Sequence, residues 1–164
     1  MRKAGQVIGC VAFFALLLGV WLLLFAVPGG HSKESAKRAM CLSNVKQLAS
    51  ALLMYQEDHG RLPHRDAWMS AAEKLVESGF ETGFRCPVVF REGYGYAFNS
   101  RLDRKDINTL VGPGSVPIVY ESISLARNAS DPVASLPNPA RHDGGNAIAF
   151  ADGSVRRVMP LAKQ

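Results

Sequence analysis

No Gly-x-Ser-x-Gly, His-Glu-x-x-His, phosphate-binding loop or dinucleotide fingerprint occurs in the 164 residues, so none of the enzyme classes those motifs mark is indicated. Basic residues are scattered, and no run of five or six is present. Removing Arg2 and Lys3 from the 19 basic residues leaves 17 against 14 acidic ones, a balance of only +3 over residues 31 to 164. That reads as a mixed, solvated surface and gives no case for a nucleic-acid partner. Internal repeats and low-complexity tracts are also missing. No acidic residue precedes Glu34.

The chain does hold a long apolar run. Val7 to Val27 contains no charge, and as a helix it would extend about 31 Å, close to the thickness of a bilayer core. This predicts a transmembrane anchor within residues 1–30 and an exported domain over 31–164. Arg2 and Lys3 place the N-terminus in the cytoplasm by the positive-inside rule. The run exceeds the apolar core of a secretory signal and lacks a small-x-small site before Pro28-Gly29-Gly30, which favours an uncleaved anchor. The expected location is therefore a membrane, spanned once, with the C-terminal domain exported and the lipid bilayer as a partner. About 130 remaining residues suit one domain.

After the Pro28-Gly29-Gly30 joint, Ser32 is positioned to cap a second helical segment. From Cys41 the pattern is amphipathic: Cys41, Leu42, Val45, Leu48, Ala49, Leu52, Leu53 and Tyr55 share one face, with Ser43, Lys46, Gln47, Ser50, Glu57 and Asp58 opposite. His59-Gly60 ends it. Asp66 is the expected N-cap of a shorter helix carrying Trp68, Ala71, Ala72, Leu75 and Val76, stopped by Gly79. Phe84 to Phe90, Tyr94 to Phe98 and Val116 to Tyr120 read as strands, and Ser124 to Arg141 as a long surface loop. Ala147 to Ala151 and Ser154 to Val158 flank Asp152-Gly153, which predicts a two-residue hairpin turn with Phe150 opposite Val155 and Ala149 opposite Arg156.

Two stretches carry a family resemblance. Cys41-Leu42-Ser43-Asn44-Val45-Lys46-Gln47-Leu48, followed by Tyr55, Gly60 and Pro63, resembles the helix of pilin-like proteins. His142, nine residues, then Asp152-Gly153 resembles the motif of the prepilin-type processing-associated H-X9-DG domain, and Cys86-Pro87 with Tyr94-Gly95-Tyr96-x-Phe98-Asn99 resembles its middle region. The likeness runs with gaps from about residue 33 to 158. It implies an α+β, type IV pilin or pseudopilin-like fold: a transmembrane helix continuing into an amphipathic helix on a small antiparallel sheet. The Gly-Phe-x-x-x-Glu prepilin signature is absent.

The resemblance implies a non-enzymatic component or relative of a type II secretion or type IV pilus-type assembly, anchored in the bacterial inner membrane by a single pass with its C-terminal domain in the periplasm, and with self-association or other pilin-like subunits as partners. No cofactor or small-molecule substrate is indicated. Two rivals from other classes are a soluble periplasmic binding module using the aromatic strands after signal cleavage, and a metal-dependent periplasmic enzyme. Cys41 and Cys86 are the two cysteines of the exported part. In an oxidising compartment they would pair, closing a loop of about 46 residues for roughly 4 kcal/mol; the alternative is two separate buried thiols. His142, Asp143 and Asp152 form a thin metal candidate, with calcium suited to the carboxylates. Turn chemistry at Asp152-Gly153 and Asp143-Gly144-Gly145-Asn146 accounts for these residues without a metal, which leaves His142, Asp152 and Gly153 as a structural motif.

Overall fold

The computed structural model describes residues 15–21, 30–76 and 80–159. The chain divides into two compact units, Met1–Lys33 and Glu34–Gln164. The described residues are α+β, with three helices and a five-stranded mixed sheet.

Among the described residues no helix is long and apolar enough to cross a membrane. This overturns the expected transmembrane anchor and, with it, the single-pass inner-membrane location. Of Val7 to Val27 only 15–21 is described, a helical stretch with exposed side chains that reaches about 10 Å, a third of a bilayer core; the remainder of that run lies outside the described residues. The long helix α1 (Gly30–His59) is too polar for the task, since Lys33, Glu34, Lys37, Arg38, Lys46, Glu57 and Asp58 lie along it.

Helix α1 buries the face its periodicity dictates. Cys41, Val45, Leu48, Ala49 and Leu52 are at most 1% exposed. Ser43, Lys46, Gln47, Ser50, Glu57 and Asp58 all face solvent. The chain turns through Gly60, whose φ of +69° suits a residue without Cβ. The next helix differs from expectation at its start. His64 Nδ1 accepts from the amide of Asp66 at 3.2 Å, so a short 3-10 turn, Arg65–Ala67, precedes helix α2 (Trp68–Glu73). Asp66 sits inside that turn and is not the cap. Trp68 stacks at 6.2 Å on Phe98 of the sheet and donates from Nε1 to the carbonyl of Ala129 at 3.0 Å.

Phe84 to Phe90 is not a strand. A 3-10 turn, Glu81–Phe84, runs into tight turns closed by the amide of Val89 on the Cys86 carbonyl at 3.1 Å and that of Glu92 on the Val89 carbonyl at 2.9 Å. Pro87 has no amide to give a sheet ladder, and apolar content alone does not supply one. The strands are β1 (Tyr96–Asn99), β2 (Pro117–Glu121), β3 (Ser130–Asp131), β4 (Asn146–Phe150) and β5 (Val155–Val158), in the order β3-β1-β2-β4-β5. The expected purely antiparallel sheet is corrected at one edge, where β3, inside the stretch expected to be loop, pairs parallel with β1 through Phe98 and Ser130.

The two sheet faces bury different groups. Tyr96, Phe98, Val119, Ala147 and Ala149 join the helix-side core, whereas Ala97, Tyr120, Ile148 and Phe150 form a second cluster with Ala129, Val133 and Leu136 from the 124–141 segment. Period-two alternation thus sends Glu121, two residues after Val119, to the side that α1 covers.

The C-terminal hairpin exists, in a register one residue away from that expected. Ala149 faces Val155 and Ile148 faces Arg156. The amide of Gly153 donates to the Phe150 carbonyl and that of Phe150 to the Ser154 carbonyl, each at 2.9 Å. The loop is therefore three residues long, Ala151-Asp152-Gly153, with Gly153 alone at positive φ (+81°), the geometry of a turn closed by a glycine bulge. Asp152 Oδ1 stabilises it by accepting from the amide of Ser154 at 2.9 Å.

Candidate functional site

Four side chains with metal- or proton-binding atoms converge beneath α1: Cys41, Cys86, Glu121 and His142, whose ligand atoms all lie within 4.8 Å of one another. Each comes from a different part of the fold. Cys41 is on the buried face of α1, Cys86 in the turn before β1, Glu121 at the end of β2, and His142 in the loop entering β4. All are buried, Cys41, Cys86 and Glu121 at 0% exposure and His142 at 4%.

The backbone around the cluster is tightly held. Arg141 reaches past its neighbour to donate to the carbonyls of Gly95 at 3.2 Å and Ser122 at 2.6 Å, and its own amide donates to Asn146 Oδ1 at 3.3 Å. Asn146 Nδ2 donates to the Pro137 carbonyl at 2.8 Å. Gly145 closes the loop at φ +106°, where a Cβ would come within 2.7 Å of the Val158 backbone. His142 is therefore fixed by its neighbours on both sides.

Within the cluster, the Cys41 and Cys86 sulfurs are 3.0 Å apart and both are free thiols. Tyr96 Oη donates to Cys41 Sγ at 3.5 Å and accepts from Asn44 Nδ2 at 3.2 Å. Glu121 Oε2 accepts from the amide of Ala147 at 2.8 Å. His142 Nδ1 meets Glu34 Oε1 at 3.0 Å, Glu34 lying two helical turns before Cys41. The remaining atoms, His142 Nε2 and Glu121 Oε1, approach to 3.1 Å but are misaligned, so neither has a well-directed hydrogen bond among the described residues.

Electrostatics follow from this packing. The contact with Cys41 holds the Cys86 thiol below its ordinary value against the opposing effect of burial, whereas the same contact and burial push Cys41 up. The close approach of Cys86, then of Glu121, raises His142 to about 10 against the opposing effect of burial. Burial works to raise Glu121, but the His142 contact and the Ala147 amide outweigh it and hold the carboxyl below its ordinary value.

Of the residues singled out in the sequence, the structure brings together Cys41, Cys86 and His142. Asp143 and Asp152 are exposed and outside the cluster. The two ends of the H-X9-DG motif lie at opposite ends of β4, a strand spanning about 16 Å, so the hairpin separates His142 from Asp152. Glu121 and Glu34 were missed; the signal for Glu121 was a lone carboxylate closing the apolar run Pro117–Glu121. Tyr96, Phe98 and Tyr120 are fully buried and offer no aromatic binding surface. A 350 Å³ surface depression, lined in part by Tyr55, His59, His64 and Lys74, contains none of the cluster residues.

Comparison with protein-family models, with curated proteins and with solved structures finds no match to this chain.

Proposed function

We propose that the chain is a non-enzymatic, pseudopilin-like subunit, a component or relative of a type II secretion or type IV pilus-type assembly. The observation that carries this reading is the division of labour along α1. Ser35, Ala36, Lys37, Ala39 and Met40 are exposed on a helix whose continuation from Cys41 is packed into the core. A helical segment held rigid by its buried continuation, and displaying Ala36, Ala39 and Met40 (53% exposed), is suited to packing against equivalent helices of neighbouring subunits. The Cys41-x-x-Asn44 helix, the Cys86-Pro87 turn and the His142 to Asp152-Gly153 hairpin add the family resemblance. Burial of Cys41, Cys86, Glu121 and His142 supports a structural role for the cluster.

The reading is tested by placing a photo-cross-linking amino acid at Met40 in the native host. Cross-links to a second copy, or to another subunit identified as carrying an exposed N-terminal helix, are expected. A protein that remains uncross-linked at Met40, Ala39 and Ala36 in turn would overturn it.

A further inference from the structure

We infer that Cys41, Cys86, Glu121 and His142 form a closed, structural site for a single transition-metal ion of the zinc class. The inference rests on the cluster alone and stands or falls separately from the assembly reading.

The donor set comes first. Two thiolates, one imidazole and one carboxylate are the ligands zinc takes, and four protein ligands without an open position mark a structural centre. Calcium and magnesium require mostly oxygen. Size agrees as well: bonds of about 2.0 to 2.3 Å around a tetrahedral ion put ligand atoms about 3.3 to 3.8 Å apart. The 3.1 Å between His142 Nε2 and Glu121 Oε1 and the 4.8 Å limit on the whole set bracket that range. The 3.0 Å between sulfurs needs to open by less than about 1 Å.

Orientation is the second, independent observation. Three of the four ligand side chains, His142, Glu121 and Cys41, are held by a neighbour from outside the set. Glu34 occupies Nδ1 of His142, the carboxylate–histidine arrangement that orients a metal-bound imidazole and fixes its tautomer. The Ala147 amide occupies Oε2 of Glu121, and Tyr96 Oη donates to Cys41 Sγ. What remains, Nε2 and Oε1, are buried and without an aligned partner among the described residues. Buried polar atoms are rarely left so, and one cation between them would satisfy both.

The full chain, purified anaerobically without a polyhistidine tag, is the material for the test, with Zn²⁺ alone and Co²⁺ alone as probes. One metal per chain is expected. The cobalt form should show tetrahedral visible bands and thiolate charge transfer, and Cys41 and Cys86 should resist alkylation until a chelator is added. His142→Ala should reduce bound metal at least tenfold. Because that variant risks misfolding, Glu34→Gln, a change at a half-exposed side chain, is the second: it should keep the stoichiometry and weaken affinity by about 10- to 100-fold. Substoichiometric metal with both thiols freely reactive, a Cys41–Cys86 disulfide with no metal, or binding unaffected by both variants would each overturn the inference.

Discussion

Replacing His142 by Ala in the metal-free protein should expose the cost of burying Glu121. Glu121 is wholly buried; its Oε2 keeps the Ala147 amide, but Oε1 faces His142 at 3.1 Å. Removing one member of such a pair strands a charge and costs about 3–5 kcal/mol, a large part of the roughly 5–15 kcal/mol a domain possesses. With an m-value of about 2 kcal/mol/M, the urea midpoint should fall by about 2 M.

The pH dependence should also change sign. In the parent, Glu121 lies below its ordinary value, so its contribution is present above about pH 4.3 and is lost as pH falls through the folded value. His142, raised to about 10, contributes fully below about pH 6.5, and that contribution is lost as pH rises through 10. In the variant, Glu121 loses its cation and burial raises its pKa. The variant should then be relatively most stable below about pH 4.3 and weaken as pH climbs. Urea unfolding with chelator at several pH values measures this, and Glu121→Leu added to His142→Ala should recover most of the loss. A variant within about 1 kcal/mol of the parent at pH 7, or a pH-independent loss that the double variant fails to recover, would refute the reasoning.

Three further outcomes are expected. Asp131 accepts from Tyr120 Oη at 2.7 Å and from the Ser135 amide at 3.2 Å; burial opposes its ionisation, but these bonds win and hold it below its ordinary value. Asp131→Asn should cost about 1–3 kcal/mol and flatten the loss of stability that the parent shows as pH falls below about 3.9, read by acid titration of the fold. Gly145→Ala puts a Cβ at positive φ and 2.7 Å from Val158, which should cost at least about 1–3 kcal/mol and disturb the His142 loop, visible as altered imidazole NMR shifts. Trp68→Phe removes the indole donor from the Ala129 carbonyl, which keeps the Phe98 amide, and should lower stability by about 0.5–1.5 kcal/mol in urea unfolding.

Much of the helix-side architecture was legible because it follows from periodicity. The spacing of Cys41, Val45, Leu48 and Leu52 selects the buried face of α1, and Asp152-Gly153 locates a hairpin. The details that failed depend on single hydrogen bonds. Gly153 at positive φ alone makes a three-residue loop where Asp-Gly suggested two, and this shifts every pair in the hairpin. His64 displaces Asp66 as the cap by accepting from its amide. Ser130-Asp131 is a strand only because β1 has a free edge. The apolar count of Val7 to Val27 suggested a membrane helix, yet among the described residues the long helix is the charged one. At the site, Cys41, Cys86 and His142 stood out by residue type. Glu121 could be placed only once the strand alternation that turns it towards α1 was fixed, and Glu34 only once α1 was seen to continue back past Cys41.

X-ray absorption at the zinc edge, on the full chain loaded anaerobically, tests the central claim most directly. Two sulfur scatterers at about 2.3 Å and two nitrogen or oxygen scatterers at about 2.0–2.1 Å are predicted, one shell per chain. A shell made only of nitrogen and oxygen, or a chain that takes up no zinc, would contradict it.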